Sequence, residues 1–163
     1  LCNFDSKSKI IISEIFPNPA GADDGEFIEL YNPGDNEIDL TGLSLNDTSS
    51  YFYKLNQKIF GKSFLTIYKK DSKISLNNSN EELKLYDCNK EIIASIKYDK
   101  SIEGKSYSYS FLDDEYFWTD PTPDDENFFD LESAENIAKN WNEKGKKAVV
   151  ITTNQLKELQ LKK

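Results

Sequence analysis

Short apolar runs alternating with polar residues dominate the chain from Ile10 to about Phe111. Ile10–Phe16 is rich in isoleucine and ends at Pro17-Asn18-Pro19, where proline ends any strand or helix. Glu26–Asn32 places Ile28 and Leu30 on one face. Turn residues rather than helical repeats separate these runs. The pattern therefore predicts an all-β fold, an antiparallel β-sandwich or barrel.

Further runs with the same spacing predict more strands, two of which flank a turn and form a hairpin. The predicted strands are Tyr51–Leu55, Phe64–Tyr68, Glu82–Tyr86, Glu91–Tyr98 and Ser106–Phe111. In the second hairpin arm, alternation places Ile92, Ala94, Ile96 and Tyr98 on one face. These runs predict that the strands continue to about Phe111.

The last part of the chain changes character after two prolines. Asp130 can cap a helix whose apolar stripe ends at Trp141, and Gly145 ends that helix. A short strand over Ala148–Ile151 and a final helix capped by Asn154 follow, which makes an α/β extension. We expect a tether at 1–9, a sandwich at 10–127 and this extension at 128–163. The stripe either docks on the sandwich or pairs with another protein or domain.

The amino-acid composition excludes several kinds of binding and catalytic site. The formal net charge is −9, which opposes a phosphate backbone and argues against nucleic-acid binding. The chain contains no histidine, so it cannot form a Ser-His or Cys-His pair or an imidazole metal ligand. It also contains no arginine, so bidentate clamping of carboxylates or phosphates is absent. Acid–base chemistry would fall to carboxylates, tyrosines and lysines.

The two cysteines have separate interpretations. Leu1-Cys2 followed by a polar tether resembles the end of a bacterial lipoprotein signal, in which Cys2 would carry the lipid; a boundary chosen for expression is the alternative. Cys88 lies in a predicted hairpin turn, and we expect an exposed free thiol there. A Cys2–Cys88 bridge remains an alternative.

Several motifs occur in the order and spacing of a known family. They are Ile12-Ser13-Glu14-Ile15-Phe16-Pro17-Asn18-Pro19, Gly25-Glu26-Phe27-Ile28-Glu29-Leu30-Tyr31-Asn32-Pro33, Ile38-Asp39-Leu40-Thr41-Gly42-Leu43-Ser44-Leu45-Asn46-Asp47, Ser75-Leu76-Asn77-Asn78-Ser79, Glu82-Leu83-Lys84-Leu85-Tyr86-Asp87, Glu103-Gly104-Lys105-Ser106-Tyr107 and Trp118-Thr119-Asp120-Pro121-Thr122-Pro123. From about residue 9 to 127 the chain resembles the bacterial lamin-tail domains, with Leu43 where relatives often carry Trp.

The resemblance implies an immunoglobulin-like sandwich. It also implies an accessory module, often on secreted or surface bacterial proteins, and in the lamins a platform for protein partners. It brings no catalytic residues and makes Glu14 and Glu29 structural, hydrogen-bonded to loop amides or paired with a lysine. Glu26 and Glu29 lie three residues apart on one strand, so without a bulge they point to opposite faces and cannot line one cleft.

Two candidate binding features remain. Asp23, Asp24 and Glu26 lie in a glycine-rich loop where oxygen ligands would bind calcium weakly, although solvated acidic turns are the simpler interpretation. Tyr51 and Tyr53 share one strand face and would form a partner contact if that face is exposed. We expect no other cofactor and no catalytic residue.

These observations predict a non-catalytic binding or display module of an extracytoplasmic, secreted or lipid-anchored protein. Its partner would be a protein, a neighbouring domain or a glycan, and it would meet a membrane only through a lipid on Cys2. A structural spacer is the first alternative. A carboxylate-dependent hydrolase is the second, and it needs two carboxylates that converge in a cleft.

Overall fold

A computed structural model describes residues 4, 9–21, 25–47, 49–111, 114–127 and 131–145. Eleven strands and two helices lie in these ranges. They are β1 (Ile11–Phe16), β2 (Phe27–Asn32), β3 (Ile38–Asp39), β4 (Ser44–Asn46), β5 (Tyr53–Lys54), β6 (Lys58–Ile59), β7 (Ser63–Tyr68), α1 (Lys69–Ser72), β8 (Ser79–Tyr86), β9 (Ile92–Lys100), β10 (Ser106–Ser110), β11 (Glu115–Thr119) and α2 (Leu131–Glu143).

The strands form two main antiparallel sheets and one small one. A five-stranded sheet has the order β11-β10-β1-β2-β7, and a four-stranded sheet has the order β5-β4-β8-β9. Strands β3 and β6 pair separately. Every pairing is antiparallel. The strand β11, which the sequence pattern did not predict, closes one edge of the larger sheet.

One apolar core lies between the two main sheets. Ile12, Ile15, Ile28 and Leu30 come from the five-stranded sheet, and Leu45, Leu83, Leu85 and Ile96 come from the four-stranded sheet; all belong to one buried cluster. Leu43 is fully buried in it. The predicted immunoglobulin-like β-sandwich is therefore confirmed.

A β-bulge in β1 changes which side chains face the core. Ile12 pairs with Leu30 and Glu14 pairs with Glu29, so Ser13 is an extra residue without a partner across β2. Because Ser13 and Glu14 together occupy one position of the alternation, both point to the same face. Ile12 before them and Ile15 after them point to the core. The acidic pair is thereby placed on the sheet face that points away from the core, here called the outer face.

A second bulge, in β9, interrupts the alternation that the sequence predicted for this arm of the hairpin. Leu85 pairs with Ala94 and Tyr86 pairs with Ile92, which leaves Ile93 as the extra residue. Ile93 packs against the core cluster while Ile92 is exposed. The prediction that Ile92 shares a face with Ile96 was therefore wrong, because a bulge inverts the alternation at that point.

Gly61 has no room for a side chain. A Cβ built on it would overlap the backbone carbonyl of Asp35. We expect Gly61→Ala to reduce the free energy of unfolding by about 2 kcal/mol, since the turn must shift to relieve the clash. Urea unfolding measures this loss. Phe60→Ala is the matched control, because Phe60 is 68% exposed, and it should unfold close to the parent; equal losses for both variants would contradict the steric argument.

The chain divides into two compact units, Leu1–Phe128 and Phe129–Lys163. The described part of the second unit is the helix Leu131–Glu143, followed by Gly145 with a positive φ of 77°. The helix predicted after Asp130 and its end at Gly145 are thus confirmed. The predicted strand Ala148–Ile151 and the final helix lie outside the described residues. No helix in the described ranges is long and apolar enough to cross a membrane.

Candidate functional site

Two buried carboxylates lie side by side on the outer face. Glu14 and Glu29 are direct cross-strand partners, and neither exposes any surface. Residues 120–127, here called the exit segment, bind these carboxylates as the chain leaves β11. The hydrogen bonds of each carboxylate show how the pair attaches this segment to the sheet.

Glu14 binds the first half of the exit segment and the adjacent strand β10. Its Oε1 accepts a hydrogen bond from the backbone N–H of Thr122 at 3.0 Å, and its Oε2 accepts one from the Thr122 hydroxyl at 3.1 Å. The Ser106 hydroxyl also donates to Oε1. Small hydroxyl side chains of Ser106, Ser108 and Thr119 form a linked chain beneath the segment.

Glu29 binds the second half of the exit segment. Its Oε2 accepts hydrogen bonds from the backbone N–H of Asp124 at 2.7 Å and from the Thr66 hydroxyl at 3.1 Å. Its Oε1 accepts one from the hydroxyl of Ser13, the bulge residue, at 2.7 Å. Asn127 completes the attachment by donating to the carbonyls of Ser13 and Tyr109.

Burial changes the proton affinity of both acids. Burial, with a smaller contribution from the charge of neighbouring Glu14, raises the pKa of Glu29 from 4.5 to about 7, against the lowering effect of its hydrogen bonds. Burial also raises the pKa of Glu14 above its ordinary value. The hydrogen bonds to Ser106 and Thr122 oppose that rise. The pair thus favours at least one proton near neutral pH.

The pair acts as an anchor for the exit segment. Each carboxylate is saturated by hydroxyl and amide donors, two of which belong to the segment backbone. The structural role that the family resemblance implied for Glu14 and Glu29, hydrogen bonding to loop amides, is confirmed by these contacts. No side-chain N or O atom that is buried in the described part of the chain lacks a hydrogen-bond partner.

Glu26 forms a separate network on the opposite side of β2 from Glu29. Its Oε1 contacts the Lys69 ammonium at 2.6 Å, and its Oε2 accepts a hydrogen bond from the backbone N–H of Leu76 at 2.8 Å. Asp23 and Asp24, the other two calcium candidates, lie outside the described residues. In the described ranges no group of three or more acidic or cysteine side chains is placed to hold a metal ion. Calcium binding at this loop stays a prediction.

An open groove lies on the four-stranded sheet, beside the turn that joins β8 to β9. It has a volume of about 520 Å³ and is lined by Gly42, Ser44, Phe52, Lys54, Tyr86, Asp87, Cys88 and Lys90. The rings of Phe52 and Tyr86 form a tilted pair whose centroids lie 5.6 Å apart. We call this feature the Phe52–Tyr86 groove. Phe52 is 48% exposed.

The two tyrosines predicted as a partner contact do not share an exposed face. Tyr51 is exposed, whereas Tyr53 packs against the core cluster and its hydroxyl accepts a hydrogen bond from Gln57. The Asn46 side-chain amide donates a hydrogen bond to the Tyr51 carbonyl and so stabilises the turn before β5. Strand β5 begins at Tyr53. A contact through Tyr51 and Tyr53 stays a prediction, but neither residue lines the groove.

Cys88 is disulfide-bonded. The predicted free thiol was therefore wrong, and the alternative from the sequence is a Cys2–Cys88 bridge. Cys2 itself, with its predicted lipidation, lies outside the described residues. The bond places a covalent constraint at the rim of the Phe52–Tyr86 groove, which Cys88 lines.

Sequence reasoning missed the residues that form the groove. The strand predicted over Tyr51–Leu55 only puts Phe52 on the face opposite Tyr51 and Tyr53, and the predicted hairpin arm Glu82–Tyr86 gives Tyr86 no surface role. A signal was nevertheless present in the sequence, because Tyr86 directly precedes the turn Asp87-Cys88-Asn89-Lys90. Aromatic residues at the ends of sheet strands are frequent contact residues.

The fold and these two features define a class of protein: an immunoglobulin-like β-sandwich whose buried acids anchor its own chain. The family model described as Lamin Tail Domain matches residues 4–100. The chain therefore belongs to the lamin tail domain family, as the motifs predicted. The match ends at the last residue of β9, although β10 and β11 complete the five-stranded sheet. No curated protein matches the chain.

Proposed function

We propose that this domain is a non-catalytic interaction module that holds a protein partner at the Phe52–Tyr86 groove. One observation carries the proposal. An aromatic pair lines an open cavity of about 520 Å³, and one of its rings is 48% exposed. Exposed aromatic side chains beside a cavity are the features that anchor protein partners. Family membership supports a binding or structural role but names no partner.

A carboxylate-dependent hydrolase is the second candidate. One observation favours it, because Glu29 has a pKa raised to about 7 beside a second acid. The contacts oppose it. Neither carboxylate has any exposed surface, and the backbone amides of Thr122 and Asp124 occupy the positions that a substrate would need. We therefore assign the raised pKa to burial and the acids to anchoring.

The partner proposal is tested by capture with a matched variant. The immobilised domain is exposed to surface extract of the source cells, and retained proteins are quantified by mass spectrometry. We expect one saturable protein that is depleted on Phe52→Ala and retained on Phe60→Ala, since only Phe52 lines the groove. Equal retention on both variants would remove the groove from the function. Absence of any saturable partner would favour the structural spacer.

We also propose that the protein is exported. Disulfides persist in oxidising compartments, and Cys88 is disulfide-bonded. A thioether-linked lipid on Cys2 and a Cys2–Cys88 bridge exclude each other, because both use the same sulfur atom. Mass analysis of the natural protein, with and without reductant, separates them: acyl chains add mass at Cys2, whereas a bridge adds two hydrogens on reduction. A reduced, unmodified protein would contradict the proposal of export.

Weak calcium binding at the loop containing Asp23, Asp24 and Glu26 is a further proposal. A ligand that binds only the folded state raises its melting temperature. We expect a higher midpoint in calcium than in chelator if the loop binds the ion. Asp23→Asn should remove that difference. An unchanged midpoint would leave the loop as a solvated turn, with Glu26 serving Lys69 and Leu76.

A further inference from the structure

We propose that the Phe52–Tyr86 groove recognises an extended peptide segment in which an apolar side chain is flanked by carboxylates. This inference rests on the proposed function and specifies the chemistry of its partner. It is carried by the apolar lining of the groove, by the lysines at its rim and by the position of the groove at the end of a sheet.

The lining of the groove suits an apolar side chain. Phe52 and Tyr86 supply ring faces, and Gly42 leaves space beside them. A glycan would bring many hydroxyl groups, and a hydroxyl that is buried without a hydrogen bond disfavours binding. The uncharged hydrogen-bonding side chains on the lining are the hydroxyls of Ser44 and Tyr86. The groove is therefore better matched to a leucine-like or phenylalanine-like side chain than to a sugar.

The charges at the rim select an acidic segment. Lys54 and Lys90 line the groove, and within the described residues neither ammonium forms an ion pair. The Asp87 carboxylate lies there too, but it accepts hydrogen bonds from the backbone N–H groups of Asn89 and Glu91 and so stabilises the turn. In a chain of net charge −9, two adjacent cations without acidic partners attract carboxylates and disfavour a basic segment.

The sheet edge suits an extended backbone. Strand β5 ends the four-stranded sheet, and it contains Lys54 and directly follows Phe52. A peptide lying along a terminal strand gains main-chain hydrogen bonds while its side chains enter adjacent pockets. An extended segment along β5 would thus place one apolar side chain at the rings. The side chains two residues before and after it point to the same face and would lie near the lysines.

Labelled probe peptides test the inference. Three peptides of equal length share a central leucine and carry aspartates, serines or lysines two residues to either side of it, and binding to the whole chain is followed by fluorescence anisotropy. We expect the aspartate peptide to bind saturably and about tenfold more tightly than the serine peptide. Phe52→Ala should weaken it by about tenfold. Lys54→Glu combined with Lys90→Glu should reverse the preference toward the lysine peptide.

Matched controls separate the groove from general surface effects. Phe60→Ala removes an exposed ring outside the groove, and Lys97→Glu with Lys100→Glu reverses two exposed charges on the other edge strand, β9. Neither control should change the affinity for the aspartate peptide by more than about twofold. If the charge-reversal control acts as strongly as the groove variant, net charge rather than the groove selects the peptide, and the inference fails.

Other outcomes distinguish this inference from the broader proposal. Equal, Phe52-dependent binding of all three peptides would overturn the acidic preference and leave an interaction groove in place. Failure of the aspartate peptide to bind would also overturn the inference, while the capture experiment judges the interaction module independently. Phe52-dependent self-association in sedimentation, or displacement of the peptide by a soluble oligosaccharide, would assign the groove to a second copy or to a glycan instead.

Discussion

Raising the pH from about 5 to about 8 is expected to destabilise the sandwich by about 2.5 kcal/mol through Glu29. Its folded pKa of about 7 exceeds the ordinary 4.5 that applies to the unfolded chain. Between these values the folded protein holds a proton that the unfolded chain has released, and each pH unit then removes about 1.4 kcal/mol from the free energy of unfolding. The stability is fully present below pH 4.5 and is lost as the pH rises through about 7.

Urea unfolding of Glu29→Gln across the same pH range isolates this contribution. Glutamine keeps an acceptor for the Asp124 amide and cannot ionise, so it represents the protonated state. We expect the variant to match the parent near pH 5 and to exceed it by about 2–3 kcal/mol near pH 8. Burial raises the pKa of Glu14 as well, so a smaller slope of the same sign should remain.

Glu103→Gln is the charge-matched control, because Glu103 is exposed and lies outside the anchoring network. It removes one negative charge from the same chain without touching the exit segment. We expect it to follow the parent curve. If Glu29→Gln retains the full slope of the parent, or if Glu103→Gln loses it equally, the dependence arises from overall charge and not from the buried acid.

Lys69→Met is expected to reduce the free energy of unfolding by about 2–3 kcal/mol. The variant removes the ammonium that balances Glu26, whose side chain is 3% exposed. Breaking a buried ion pair from one side leaves a charge in a medium that solvates it poorly. The side chain of Lys69 is 26% exposed, so solvent moderates the loss below that of a fully buried pair. Urea unfolding at neutral pH measures it.

Lys70→Met is the matched control, since Lys70 follows Lys69 in α1 and is exposed, with its ammonium 5.4 Å from the Tyr68 ring centre. We expect a loss below about 1 kcal/mol. The double variant Glu26→Gln with Lys69→Met should be more stable than Lys69→Met alone, because no buried charge remains while the Leu76 amide keeps its acceptor. Equal losses for Lys69→Met and Lys70→Met would contradict the ion-pair account.

The sandwich itself could be predicted from sequence, because apolar residues at alternate positions mark several of its longer strands. Ile28 and Leu30 alternate with polar or outward residues, and both are buried as expected. The bulges at Ser13 and Ile93 could not be predicted, because a bulge depends on the pairing of two strands and leaves no local mark. The two-residue strands β3 and β6 are too short to carry a period.

The site was predictable only in part. The structural role of Glu14 and Glu29 came from the family resemblance, but their main partners Thr122 and Asp124 lie about a hundred positions away in the chain. No local pattern joins such distant residues, because the sheet order that brings them together is a property of the whole fold.

The extra residue at Ser13 has a consequence for reading relatives of this protein. Two residues, Ser13 and Glu14, together oppose Glu29, so Ile12 and Ile15 both face the core although they lie three positions apart. Deleting Ser13 alone would restore strict alternation and leave Glu14 opposite Glu29. Such a deletion would instead remove the hydroxyl that donates to Glu29 and the carbonyl that accepts from Asn127. Homologues without this residue are therefore expected to keep the acidic pair and to hold the second half of the exit segment through other donors.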